Sequence, residues 1–211
     1  MKKLFMLFKI GRKLVTSGAI SSIYSIYKPP LTIKILFSVI GFSFNRKTNT
    51  NSSPGHNLCT ALQEMGTTFI KLGQFLATRP DIIGENIAKD LEKLQDKLPP
   101  FDLVIAKNIL IKELGKENFD KILNISNPIA AASIAQVHLA KIKDSEKNKE
   151  VAIKILRPNI EKIFNEELDA LMLLAYIVES ILKKTKRLKL IEIVQLLREV
   201  TNVEMDLRFE A

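Results

Sequence analysis

Leu58, Leu62, Met65, Phe69, Leu72 and Leu76 recur at spacings of four, three, four, three and four, the period of a helix that buries one stripe. A strand cannot use that pattern, because its successive side chains face opposite ways. The spacing predicts a helix from about Leu58 to a stop near Arg79-Pro80. A second is expected from about Gly84 to Leu98, with Ile87, Leu91, Leu94 and Leu98 on one face and Pro99-Pro100 ending it. A third, roughly Phe101 to Leu114, closes at Gly115. Beyond this point the helical period is dropped. Ile129 to Ile142 and Glu150 to Leu156 are rich in Val, Ile and Ala, and the polar run Lys143 to Lys149 between them reads as a hairpin loop, so two antiparallel strands are expected. After Arg157-Pro158 the helical period returns, from about Ile160 to Lys184 and again from about Leu188 to the last residue. Helices, a small sheet, then helices describe an α+β fold, and 211 residues are enough for one medium domain with a helical extension.

Charge separates the N-terminal segment from the rest. Met1 to Thr50 contain nine basic residues (Lys2, Lys3, Lys9, Arg12, Lys13, Lys28, Lys34, Arg46, Lys47) and no acid. The chain has 32 basic and 23 acidic residues in all, so the remaining 161 hold 23 of each and the whole excess of +9 lies in this segment. Such a segment is drawn to an anionic surface. Bulky apolar residues interleave with the charges, as in Leu4-Phe5-Met6-Leu7-Phe8 and Ile33 to Phe37. That favours an anionic membrane surface over nucleic acid, whose binding arms rarely carry so much aliphatic bulk. The apolar stretch Leu31 to Phe44 is too short to span a bilayer and is interrupted by Lys34, so no transmembrane span is expected. Docking of the same segment on its own domain, basic face solvated, is the other reading of these residues. The polar run Asn45 to Asn57 reads as a linker. The expected organisation is therefore a basic amphipathic segment over 1–45, a linker over 46–57, a helical extension over 58–125 and a final domain over 126–211. A single Cys59 excludes an internal disulfide, and two histidines, His56 and His138, make imidazole-based metal catalysis unexpected; no metal ligand is assigned.

Four short constellations suggest chemistry. Val151-Ala152-Ile153-Lys154 lies on the second expected strand and is the tetrapeptide that in protein kinases puts a lysine against the α- and β-phosphates of ATP. An exposed strand lysine is the alternative reading of Lys154. About twenty residues upstream, where a kinase carries its glycine-rich loop, stands Ala130-Ala131-Ala132-Ser133-Ile134-Ala135-Gln136-Val137-His138. Alanines keep the backbone amides that bind phosphate but narrow the approach; a small-residue strand packed under a helix fits the same residues. In Lys71-Leu72-Gly73-Gln74 the lysine and glutamine stand three apart on one side of a helix, with Gly73 removing a side chain between them. Finally, Asp206 and Glu210 are four apart, a like-charge pair on a regular helix that calls for a cation such as Lys154 or Lys71, while Glu204 points elsewhere.

These four elements in this order resemble the UbiB-type atypical protein-kinase-like family linked to ubiquinone (coenzyme Q) biosynthesis. The matching stretches are Phe69 to Asp81, like the family's K-x-G-Q motif; Leu91 to Phe101, ending Leu-Pro-Pro-Phe; Ala130 to Val137, like its alanine-rich loop; Val151 to Pro158, like its lysine strand; and Glu204 to Ala211, like its E-x-D motif and the start of the helix bearing the kinase glutamate. The resemblance runs from about Leu58 to the last residue. It implies a protein-kinase-like N-lobe, a small antiparallel sheet plus helices, preceded by a helical extension whose K-x-G-Q helix covers the pocket. It implies ATP or ADP with Mg as cofactor, and ATP hydrolysis or small-molecule or lipid phosphorylation as activity; older usage called such proteins probable hydroxylases. Residue by residue, Lys154 would contact the phosphates and pair with Glu210, Lys71 and Gln74 would face the pocket near Glu204 and Asp206, and Ala130, Ala131, Ala132 and Ser133 would lie over the phosphates. Ubiquinone-pathway proteins or lipid precursors are the implied partners, at the cytoplasmic face of a bacterial inner membrane.

The catalytic-loop Asp and Asn and the D-F-G aspartate of a kinase-like site do not occur in these 211 residues. The reading is of the N-terminal part of a split or truncated gene that is not a competent phosphotransferase alone, a second chain that supplies the C-lobe being one of the two cases. Ile191, Val194 and Leu197 are expected to lack partners in a lone lobe. The alternative from another class is a non-catalytic membrane-surface or partner-binding module.

Overall fold

Helix α2 (Pro54–Met65) begins inside the expected linker because the local chemistry for a helix start is complete there. Ser53 accepts a hydrogen bond from the His56 N–H at 3.2 Å, and Pro54 occupies the first turn, where its missing N–H is not needed. The Ser53 hydroxyl also donates to Asp90 Oδ2 at 2.7 Å, tying the start of α2 to helix α5 (Glu85–Leu91). The computed structural model describes residues 2–19, 53–94, 98–144, 147–181 and 188–209; the expected interfacial stretch Leu31 to Phe44 and the ion-pair candidate Glu210 lie outside them.

The long helix expected from Leu58 to Arg79 is two helices, α2 and α3 (Thr67–Ala77). Gly66, at φ +104°, ends one and starts the other, a conformation that glycine alone adopts without strain. The apolar period runs straight through the break and so hides it. α2 buries Leu58, Cys59, Ala61 and Leu62, and α3 buries Thr68, Phe69, Ile70 and Gly73, which leaves Leu72 and Leu76 half-buried. The helix expected from Gly84 to Leu98 is α5, which ends at Leu91, and a short helix that spacing does not announce, α4 (Pro80–Ile83), precedes it, with Gly84 at φ +82° between the two. Gly55 sits where α2 meets α5; a Cβ there would come within 2.7 Å of the Asp90 Cβ.

Two compact units divide the chain: residues 1–95 with 164–202, and residues 96–163 with 203–211. In the first, α1 (Lys2–Thr16) packs through Ile10 and is pinned to α2 by Lys13 Nζ on Glu64 Oε2 at 3.0 Å. α8 (Ile160–Ile181) and α9 (Leu190–Met205) contribute Phe164, Leu168, Ala170 and Leu171, and Ile193, Val194 and Leu197, to its core. Val194 and Leu197 are buried and Ile191 is half-buried, contrary to the expectation that they lack partners. Arg198 Nη2 meets Asp169 Oδ1 at 2.8 Å between these two helices.

One buried acid sits awkwardly in this unit. Glu167 on α8 is 7% exposed, and Thr68, with which it interacts, is fully buried. Burial pushes its carboxyl above the ordinary range and Glu166 adds to this, while the Thr68 hydroxyl and the Lys9 ammonium pull partly back. An acid whose folded pKa is raised stabilises the fold most below its unfolded value and loses that contribution as pH rises through the folded one. Glu167→Gln is therefore expected to raise the melting temperature by a few degrees at pH 8 and to leave it unchanged at pH 4. Circular-dichroism melts of both proteins at the two pH values check this; an equal melting temperature at pH 8 would contradict it.

In the second unit, β1 (Ile122–Ala131), β2 (Ala135–Ile142) and β3 (Lys149–Leu156) form an antiparallel sheet in the order β1-β2-β3. The run read as one strand, Ile129 to Ile142, is two, split by a turn, so the sheet has three strands where two were expected. Asn124, Asn127 and Pro128 mask β1 in the sequence. The structure accommodates them on an edge strand with three register shifts, between Ile122 and Asn124, Ile125 and Pro128, and Pro128 and Ala130. Helix α6 (Leu103–Leu114), capped by Asp102 Oδ1 on the Val104 N–H at 2.7 Å, packs Ala106 and Leu110 against Ile155 and Ile153 of β3. The short α7 (Lys116–Phe119) precedes β1. α9 ends at Met205 and a 3-10 turn follows over Leu207–Phe209, so the helix expected to continue to the chain end stops short.

Candidate functional site

Strand parity decides which side chains of the sheet share a face. Gln136, His138 and Ala140 of β2 are buried, and Ile153 and Ile155 of β3, paired with His138 and Gln136, pack towards α6. The alternate residues therefore occupy the opposite face. Val137 pairs with Lys154, Leu139 pairs with Ala152, and Val137 also pairs with Ala130 of β1. Ala130, Val137 and Lys154 thus form one row across all three strands, with Leu139 and Ala152 in the next row. Leu139 is 52% exposed, and Ala130 and Ala152 are exposed too. The lysine strand and the alanine-rich segment, distant in sequence, present an apolar surface ending in an ammonium group.

Ala132, Ser133 and Ile134 form the turn that joins β1 to β2, closed by the Ala132 N–H on the Ala135 carbonyl at 2.8 Å. Two residues that spacing did not single out hold this turn. Arg157, read as a helix boundary, donates from Nε and Nη2 to the Ala132 carbonyl at 3.1 and 2.8 Å, from Nη1 to the Pro99 carbonyl at 3.1 Å and from Nη2 to the Leu98 carbonyl at 3.3 Å. Its backbone N–H reaches the Ile134 carbonyl at 2.9 Å, and its guanidinium lies 5.9 Å from the Phe101 ring centre. Gln136 accepts from the Phe101 N–H at 2.9 Å and donates to the Phe101 carbonyl at 3.1 Å. The same amide meets His138 Nε2 at 2.9 Å, while His138 Nδ1 lies 2.8 Å from the Ser126 carbonyl. A ring that accepts at Nε2 and donates at Nδ1 satisfies both contacts, which makes His138 an internal strut. The Leu98-Pro99-Pro100-Phe101 segment, which the sequence marks as a helix stop and as part of the family resemblance, is bound to the hairpin by both Gln136 and Arg157. A glutamine on a buried strand position beside a double proline was the available signal.

A cleft of about 1010 Å³ runs along β3 from Val151 to Leu156, bounded by the C-terminal half of α6, by 157–162 and by Met205, Leu207 and Arg208. Lys154 lines it; Ala130 to Ser133 do not. Asp206 lies one residue past the end of α9, before the 3-10 turn, and so is not on a regular helix. Its carboxylate is held by Arg208, with Nε on Oδ1 at 2.7 Å, and that pair pulls the carboxyl below its ordinary range. Glu204 is half-buried on the last turn of α9. Lys71 and Gln74 are half-buried on α3 in the first unit, whereas Lys154, Ala130 to Ser133, Glu204 and Asp206 belong to the second. Among the described residues no three His, Cys, Asp or Glu side chains form a group suited to a metal ion.

A three-stranded antiparallel sheet with a lysine on its third strand, an alanine-rich segment leading into the turn between its first two and helices before it is the small lobe of a kinase-like protein. Residues 93–211 match the ABC1 atypical kinase-like domain, and the chain belongs to that family. It is also similar to proteins described as "Probable protein kinase UbiB". The identity is 38% over 160 residues with that of Marinobacter nauticus (75% of this chain, 29% of the relative). It is 37% over 183 residues with that of Shewanella loihica (83% and 32%) and 41% over 159 with that of Vibrio atlanticus (74% and 29%). The chain thus spans about three tenths of the length of these curated relatives.

Proposed function

We propose that this chain is the nucleotide-facing part of an ATP-using, UbiB-like kinase or ATPase that supports ubiquinone (coenzyme Q) biosynthesis. The observation that carries the reading is the row Ala130–Val137–Lys154 on one sheet face beside the clasped Ala132–Ile134 turn. The residues fit ATP or ADP: Val137, Leu139 and Ala152 offer an apolar platform for a base, Lys154 a cation for phosphate oxygens, and Ala130 to Ala132 small side chains beside the turn, whose methyl groups narrow the approach of a phosphate without closing it. The bound nucleotide would supply the phosphoryl group. Lys154 would hold its charge, and the Arg157 clasp would keep the turn from rearranging. The resemblance adds Lys71, Gln74, Glu204, Asp206 and Glu210 to the same site. Magnesium ligands and the groups that complete phosphoryl transfer would come from sequence that these 211 residues do not include, on a continuation of the chain or on a second chain. Ubiquinone-pathway proteins or lipid precursors would be the partners, at the cytoplasmic face of a bacterial inner membrane.

The test is nucleotide binding by the purified chain. A fluorescent ADP analogue with magnesium is expected to bind saturably, and Lys154→Met to weaken binding by about tenfold or more, a loss of about 1.4 kcal/mol. Wild type and variant should melt alike, and neither should hydrolyse ATP alone. Binding that Lys154→Met leaves unchanged would overturn the assignment, and ATP turnover lost on that substitution would show that the chain is sufficient by itself.

A further inference from the structure

Helix α1 has two faces of different kind. At 100° per residue, Met6, Leu7, Ile10 and Leu14 fall on one side, where Ile10 is 4% exposed and the other three are half-buried. Phe5, Phe8, Lys9 and Arg12 fall together on the opposite side and are all exposed, Phe5 at 73% and Phe8 at 56%. The helix is docked: Ile10 is covered and Lys13 is bound to Glu64. Docking on its own domain accounts for one face of this helix and leaves the other exposed. A solvated face needs no phenylalanines, and two within one turn on an outward face are an unusual exposure.

We propose that this outward face of α1 seats the protein on an anionic phospholipid bilayer, with Phe5 and Phe8 inserted at the headgroup boundary and Lys9 and Arg12 against lipid phosphates. Charge complementarity selects this occupant, since the first fifty residues carry nine basic groups and no acid. Geometry agrees. A helix of 15 residues that is docked along one side lies in the interface plane, and no described helix is long and apolar enough to cross a membrane. An acidic protein surface would satisfy the cations but gives no role to two adjacent, outward phenylalanines. The proposal stands apart from the nucleotide site, which uses none of these residues.

Flotation of the full chain with vesicles of phosphatidylcholine containing 30% phosphatidylglycerol, compared with phosphatidylcholine alone, tests it. Strong recovery with the anionic vesicles, weakened at high salt, is expected, and the Phe5→Ser/Phe8→Ser double variant should lower partitioning by about tenfold or more at an unchanged melting temperature. The chain has no tryptophan, so Phe8→Trp provides a single reporter whose emission should shift to the blue with anionic vesicles. Equal flotation of the double variant, or no flotation with either vesicle, overturns the proposal. Binding to immobilised polyglutamate that depends on Phe5 and Phe8, without flotation, assigns the face to an acidic protein and also overturns it.

Discussion

Arg157→Ala is expected to destabilise the protein by about 2–4 kcal/mol in urea denaturation, a larger effect than an exposed arginine would have. The guanidinium makes four hydrogen bonds to three backbone carbonyls, those of Ala132, Pro99 and Leu98. Alanine leaves the Ala132 and Leu98 carbonyls unpaired in half-buried positions, while the exposed Pro99 carbonyl turns to water, and a group stranded away from water costs more than the bond itself was worth. The stacking on Phe101, worth about 0.5–1 kcal/mol at a partly exposed site, is lost as well. Arg157→Lys should recover less than half of the loss, because one ammonium cannot reproduce a planar fork that reaches both the turn and the proline segment. The same variants should weaken nucleotide binding more than they lower stability at a temperature where the chain remains folded, since the freed turn is the one that would face the phosphates. A denaturation midpoint within error of wild type for Arg157→Ala would mean that the clasp contributes nothing and that Gln136 alone holds the segment.

That clasp also marks where sequence reading stopped. Periodicity found α2, α3, α5, α6, α8 and α9, because one-sided burial leaves a direct trace in spacing. It failed at Gly66, where a positive φ breaks the helix while the apolar period continues across the break, and it did not announce the four-residue α4. It missed most of β1, whose Asn and Pro residues read as loop and are tolerated only because the strand is an edge with register shifts. In the site, the tetrapeptide ending in Lys154 and the alanine run could be found because each is local in sequence. Their placement in one row could not, since register depends on where the Ala132–Ile134 turn falls, and the Val, Ile and Ala content of 129–142 reads as one continuous strand. Arg157 and Gln136 bond to backbone atoms, which carry no residue identity, so no pattern of residue types announces them. Asp206 was matched by spacing to distant lysines, whereas its guanidinium partner, Arg208, stands two residues on, past a helix end that spacing could not locate.

Gly73→Val should cost about 3 kcal/mol, and the reason alters how the Lys71-to-Gln74 motif is understood. In the sequence, Gly73 reads only as the removal of a side chain between Lys71 and Gln74. In the structure it faces inward and is buried. A Cβ at this position would overlap Leu94 Cδ1 and come within 2.8 Å of Leu62 Cδ1, and those leucines are only 6% and 3% exposed. The glycine is what lets α3 lie close to α2 and to the end of α5. Alanine should be milder, because leucine tips can turn aside and alanine is favoured over glycine in a helix by about 1 kcal/mol. Valine adds two further methyl groups with one preferred rotamer in a helix and forces the overlap that alanine can evade. Urea denaturation of both variants measures this, and a Gly73→Val/Leu94→Ala double variant should recover part of the loss, because the clash and the cavity then offset each other at one contact. Valine tolerated at wild-type stability would show that the helices are free to move apart. If the loss appears and is repaired at Leu94, the motif's glycine sets the packing of the helix that carries Lys71 and Gln74, and leaves the chemistry to those two side chains.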